Sequence, residues 1–422
     1  MSITSSFYSA LSGLDAHAIA MQVIGDNVAN VHTTGFKSST AHFEDILGQS
    51  LSGVTGSNQT GAGTKVSTVD LDFFQGSFQT TNVSTDVAIN GKGLFVLADP
   101  NSDEHFYTRA GHFTLDNQGY YVNTHGYRVQ GYLYDGLGEN LIETLSDIQI
   151  DQNSMIPPIA TTEMEMVVNL DAGADVRVWD PTDPSATCNF STAMKIYDTL
   201  GQSHQVQVFF TKTAAQTWEW HAMIDGSDLQ GGTAGVLQEY GTGTIVFDDD
   251  GALSTGMPVT FSTGAAAITF LNGLTPGATT ADFTGTSQYG SPSAVQGIIQ
   301  DGYAAGTVSG ISLDAEGNIV ASYTNGTVKN IARLALADFA NLNGLQRKGS
   351  TLYQATTSSG EPLLNKPGVG GAGTVSASML EESNVDLAAE FVRMIVVQRG
   401  YQANSKVIST TDDMLAQLMN IR

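Results

Sequence analysis

Two columns of apolar residues that repeat every seven positions, one at each end of the chain, constrain this sequence more than anything between them. At the start, Phe7, Leu14, Met21 and Val28 share a column, with Ile3, Ala10, Ile24 and Val31 flanking it. Such a repeat lays one apolar stripe along a helix, which predicts a helix over residues 5–30. At the far end Leu380, Leu387, Met394, Tyr401, Ile408 and Leu415 repeat the pattern, with Phe391, Val397 and Leu418 alongside. Ser383 and Asp386 have the spacing by which a hydroxyl and a carboxylate satisfy the free amides of a helix start, so the second helix is expected to begin near Asn384. Gly400 inside it costs about 1 kcal/mol relative to Ala, which points to close packing at that position.

Each stripe covers one side only, and neither helix has a sequence neighbour to pack against. The ends are therefore expected to find each other as a coiled-coil-like stem. A lone two-helix stem is marginal in water, and Asn404, Ser405 and Thr411, with His17 opposite, weaken a private seam. Other copies of the chain would cover the remaining surface. Identical stems packed head to tail make a heterologous interface, which builds an open helical polymer.

Between the ends the texture changes to short alternating runs such as "KGLFVLAD", "EHFYTRAGHFTLD" and "HQVQVFFTKT", broken by Gly, Asn and Asp, and the middle reads as β-rich. The fold class is thus mixed α and β: paired terminal helices carrying mainly-β outer domains nested by insertion. The Gly/Ser-rich stretches 48–66 and 366–378 read as connecting segments. Pro157-Pro158 and the polar patch 285–294 bracket a further β segment that is read as an insertion. "LDNQGYY", "FDDDGAL" and "LDAEGNI" share an Asp-x-x-Gly step; it is turn chemistry, since a calcium loop would continue its acidic ligands to a bidentate Glu.

No catalytic residue, cofactor or metal site is expected. The eight histidines are scattered, no Gly-x-Ser-x-Gly elbow occurs, and the G-x-G-x-x-G at 368–373 follows Lys366-Pro367 rather than an apolar strand. Cys188, the single cysteine, is read as a small buried hydrophobe. With 42 acidic against 17 basic side chains and a formal charge of −25, nucleic acid is excluded as a partner. No run of about 18 apolar residues is present, so membrane insertion is not expected. The first 36 residues hold no Lys or Arg and are interrupted by Asp15 and His17, so a cleaved signal peptide is not expected either. Trp218 and Trp220 fall on one face of a strand, where they either cover a sheet core or form a sugar-stacking platform.

Three stretches carry a family resemblance: "NVANVHTTGFKSS" from Asn27, "YTRAGHFTLDNQGYYVNTHGYRVQGY" at 107–132, and "SNVDLAAEFVRMIVVQRGYQANSKVISTTDDML" from Ser383. Together they resemble the bacterial flagellar axial proteins of the rod and hook. The segments at 191–213 and 302–326 resemble the hook branch of that family in particular. The resemblance implies an inner helical tube domain from 1–30 and 380–422 and a connector from 31–70 and 364–379. It further implies a first β domain from 71–147 and 296–363 and an inserted outer β domain from 148–295. Self-assembly would run through Phe7, Leu11, Leu14, Met21, Ile24, Val28, Leu387, Phe391, Met394, Val397, Tyr401, Ile408, Leu415 and Leu418. Asn27 and Asn30 would close the inner helix, Gly35 would take a turn that a Cβ obstructs, and Phe36 would start the connector. The implied role is a structural subunit of an extracellular, curved, bendable tube that transmits motor torque in swimming. Implied partners are many copies of itself, the distal rod protein below, the hook cap during assembly, the hook-filament junction protein above, and the flagellar type III export apparatus. Two other readings are a distal rod or other axial subunit, and a secreted carbohydrate-binding β protein resting on Trp218 and Trp220.

Overall fold

The computed structural model describes residues 3–53, 56–102, 104–136, 138–151, 155–255, 259–260, 269–273 and 279–420. It is mainly β, with one long helix at each end, Ile3–Ala29 and Leu387–Asn420. The second helix starts later than expected. Asp386 is its cap, its carboxylate accepting from the amides of Ala388 (2.8 Å) and Ala389 (3.2 Å). Ser383 instead accepts from Val385 N at 3.4 Å. Asn384 is held outside the helix because its side chain accepts from Ser38 N (2.8 Å) and donates to Asp72 O (2.8 Å).

The chain divides into two compact units, one of residues 1–152, 310–322 and 328–422, the other of 153–309 and 323–327. In the first, the chain leaves the N-terminal helix into an antiparallel hairpin of Ser39–Gly53 and Gly56–Leu71, irregular at His42/Phe43, Asp45/Leu47 and Leu47/Ser50. The Gly/Ser-rich stretch 48–66, read as a connecting segment, is largely strand among the described residues. Ladder hydrogen bonds to a partner of matching length offset the entropy that Gly loses in a strand. The hairpin lies on the helix: Thr64 N donates to Ser12 Oγ at 3.1 Å, and the His17 and Phe43 rings are 5.6 Å apart.

The same unit holds a large, mostly antiparallel sheet. Its central strand, Leu94–Ala98, pairs with His105–Thr108 on one side and Arg128–Tyr134 on the other. The returning chain extends both edges, with Val328–Leu334 beside Arg128–Tyr134 and Leu352–Gln354 beside His105–Thr108. Val87, Phe95, Phe113, Val129 and Leu334 form its core, with Phe95 and Phe113 edge to face at 5.2 Å. Gly119 and Gly317 turn at φ 81° and 79°. The leading Asp116 and Asp314 accept from Tyr120 N (2.8 Å) and Asn318 N (2.7 Å), so these carboxylates serve as turn acceptors.

The second unit contains a five-stranded antiparallel sheet in sequence order, from Phe190–Tyr197 to Leu253–Thr255, and a second sheet in which Glu163–Asn169 pairs with Ala294–Gln300. That last ladder keeps the chain in this unit beyond residue 295, the expected boundary, and Ser309 is the end of the stretch. The start shifts as well, because Ile148 is buried in the first unit's core. Trp218 and Trp220 are both fully buried, packed among Phe210, Phe247 and Phe283. They fill a sheet core, which removes the platform on which the carbohydrate-binding reading rested. Cys188 is buried against Phe209 and Met223, and burial pushes its thiol above the usual range.

Candidate functional site

The terminal helices lie side by side, and the predicted apolar column is only partly buried. On the first helix the buried positions are Ala10, Gly13, Ala16, Ala20, Ile24 and Asn27. On the second, Glu390 and Thr411 are buried, while Met394, Val397, Gly400, Asn404 and Ile408 are half-buried. The backbones come close at two crossings. A Cβ on Gly13 would sit 2.7 Å from the Asn404 amide nitrogen, and one on Gly400 would sit 2.7 Å from the His17 ring. Small residues permit this approach, and a ridge of Leu or Phe would hold the helices apart.

Bulky side chains are consequently displaced to the flanks. Of the expected assembly residues, Ile24 is buried, and Leu14, Met21, Val28, Met394, Val397 and Ile408 are half-buried. Phe7, Leu11, Leu387, Phe391, Tyr401 and Leu415 are exposed, and the Leu418 side chain lies outside the described residues. Tyr8, Val392, Ile395, Val396 and Met414 add to the exposed apolar surface.

At the base of the helices the chain closes on itself through polar contacts. Asn27 is fully buried and exchanges two hydrogen bonds with Ser39, donating to its carbonyl (2.8 Å) and accepting from its amide (2.9 Å). Asn30 N donates to Asp26 O at 3.1 Å, and its side chain accepts from the Thr33 hydroxyl at 3.0 Å. Gly35 has φ 68° and faces Ala110, whose amide nitrogen would lie 2.4 Å from an added Cβ. Phe36 is buried, with the Arg347 guanidinium 5.6 Å from its ring centre.

Three charged residues that sequence reasoning missed tie the two ends together here. Glu381 receives Lys37 Nζ at 2.6 Å on Oε1 and Arg109 Nη1 at 3.2 Å on Oε2, and Gly76 N adds a bond of 2.9 Å to Oε1. Lys37 and Glu381 are fully buried and Arg109 nearly so. Burial holds both Lys37 and Arg109 below their ordinary pKa values, with attraction to Glu381 opposing that shift. A buried charge left without its partner is strongly destabilising, so this cluster forms only when segments 344 positions apart meet. The available signal was a lone cation in "TTGFKSS" and another in "YTRAGH", each without an acidic neighbour in its stretch.

The chain thus consists of a helix pair with exposed apolar flanks, closed at its base by a buried ionic cluster and interrupted in sequence by β units, the layout of a protein built from terminal helices and inserted β domains. Residues 7–37 match the family described as flagella basal body rod protein, and 376–421 the C-terminal family of flagellar basal body rod FlgEFG proteins. Residues 88–164 match the flagellar hook protein FlgE/F/G D1 domain, and 169–303 the flagellar basal body protein FlaE D2 domain. The chain belongs to the flagellar hook protein family. It is 34% identical to the flagellar hook protein FlgE of Treponema pallidum and 32% to that of Borreliella burgdorferi, with 99% of each chain covered in both cases. It is 33% identical to that of Escherichia coli K12, over 99% of this chain and all of the relative. The crystal structure of Helicobacter pylori flagellar hook protein FlgE2 shares the fold at 17% identity, with a TM-score of 0.53 over 72% of this chain and all of the other.

Proposed function

We propose that this chain is the repeating subunit of a flagellar hook, in which copies build a curved, bendable tube that passes motor torque from rod to filament. The observation that carries the reading is the arrangement of the terminal helices, which meet closely at Gly13 and Gly400 and leave Phe7, Leu11, Phe391 and Tyr401 in water. A helix pair arranged in this way is poorly stabilised alone and gains by burying those side chains against other copies. In the polymer the pair acts as a coiled-coil-like stem of an inner tube, the hairpin and the clamp around Glu381 act as the connector, and the β units form the outer layers.

A bent tube that rotates about its curved axis must lengthen and shorten each subunit contact once per turn. Contacts that are polar and wet slide at little net cost, because water replaces a lost hydrogen bond. Close-packed apolar contacts resist shear. Torsional stiffness therefore belongs to the stems and bending compliance to the polar surfaces of the β units. The distal rod protein, hook cap, hook-filament junction protein and type III export apparatus are the partners such a subunit meets. Electron microscopy of polymer grown from the purified chain tests the reading. Curved tubes are expected; straight ones would point to a rod-type axial subunit, and failure to polymerise at any concentration would remove the basis for both.

A further inference from the structure

The base of the helix pair contains a groove that the chain leaves open. Ala20 and Ile24 of the first helix, Ala41 and Phe43 of the hairpin, and Val392 and Val396 of the second helix wall it. Glu390 also lines it, and this residue is buried. Its Oε1 accepts from Arg393 Nη1 at 3.1 Å, whereas Oε2 is buried with no hydrogen-bond partner. An unpaired buried acceptor is costly, so the site calls for a donor.

We infer that the groove seats the tip of a second copy's first helix, with Phe7 against the apolar walls and the Tyr8 hydroxyl donating to Glu390 Oε2. This rests on the self-assembly reading above and assigns its partner surfaces. Arg393 already neutralises Glu390, so a second cation would bury unmatched charge, while a neutral hydroxyl supplies the missing bond without one. Charge favours the same tip. No charged side chain precedes Asp15 in the first helix, whereas the neighbouring end of the second helix carries Asp412 and Asp413. An uncharged tip is the one that enters an apolar groove without burying an unmatched charge. Tyr8 is 66% exposed and Phe7 and Leu11 are exposed beside it, an aromatic-rich cluster of the kind that anchors interfaces. The tip does not fill its own groove: Tyr8 and Ala20 stand on one helix about 18 Å apart at a rise of about 1.5 Å per residue. The contact therefore joins two copies, and repeated head to tail, as the self-assembly reading requires, it propagates from copy to copy.

The test is a double-mutant cycle on the full chain, read as the critical concentration for polymer sedimentation. Tyr8→Phe, which removes only an exposed hydroxyl, is expected to raise that concentration about fivefold, the effect of one hydrogen bond. In a Glu390→Met background the same change is expected to add nothing; an equal rise in both backgrounds, or none in either, overturns the pairing while leaving self-assembly intact. A second measurement mixes Cys188→Ala copies bearing Tyr8→Cys with Cys188→Ala copies bearing Val396→Cys. Oxidised polymer is expected to contain a disulfide-linked dimer that mixtures with Val178→Cys lack. Polymer without that dimer refutes the seat, and a parent chain that never sediments refutes the assembly reading together with it.

Discussion

The inserted β unit and the terminal helices treat bulky apolar side chains in opposite ways. In the β unit Trp218, Trp220, Phe210 and Phe247 are buried to the last few per cent, and the unit saturates its own core. In the helices Ala10, Ala16, Ala20, Asn404 and Thr411 turn towards the seam or lie against it, while Phe391 stays 50% exposed. One region is folded for itself. The other leaves bulky apolar side chains in water, and on the proposed reading its stability rises with the concentration of neighbouring copies.

The sharpest way to break this contrast is Phe391→Asp. Polymerisation is expected to be abolished while the monomer's unfolding free energy moves by no more than about 0.5 kcal/mol, as at an exposed site; a destabilised monomer, followed by denaturant titration, would show that Phe391 belongs to a private core after all. Trp220→Ala is the converse. It should cost about 3–5 kcal/mol in the β unit's own unfolding transition. Next comes Glu381→Gln, which removes the charge shared by Lys37 and Arg109 and is expected to cost about 3 kcal/mol in the first unit. Gly400→Ala gains helix propensity but drives a methyl into the His17 ring, and a net loss of about 1 kcal/mol is expected from helix unfolding followed by circular dichroism. A net gain there would mean that the seam is looser than the His17 contact implies.

The smallest effect concerns pH and sits in the β unit. His221 stacks on Trp179 at 4.1 Å with the rings 1° from parallel, and burial holds its pKa below the ordinary 6.5 despite Glu239 and Glu219 nearby. The unfolded chain therefore takes up a proton at a higher pH than the folded unit does. Stability of that unit should fall as pH drops below 6.5 and level off once the folded ring also titrates, a slope that His221→Gln should remove.

Much of this layout was legible in the one-dimensional pattern. Period-seven columns locate both helices, alternation with Asp-x-x-Gly turns marks the β region, and three motif stretches point to the family, because periodicity and turn chemistry are local properties that short segments carry themselves. Which residues of a helix face the other was not legible. The apolar column suggested Phe7, Leu14 and Met21, yet Phe7 is exposed and Leu14 and Met21 are half-buried, while Gly13 and Gly400 bring the helices together against Asn404 and His17. The Lys37–Glu381–Arg109 cluster was equally hidden, since its members lie in three separate stretches and nothing local distinguishes a buried charge from a solvated one. By itself the sequence determined where helix and strand form and that the chain ends are amphipathic. Only the tertiary structure decided which face turns inward and which charges are buried, because both depend on distances between segments hundreds of residues apart.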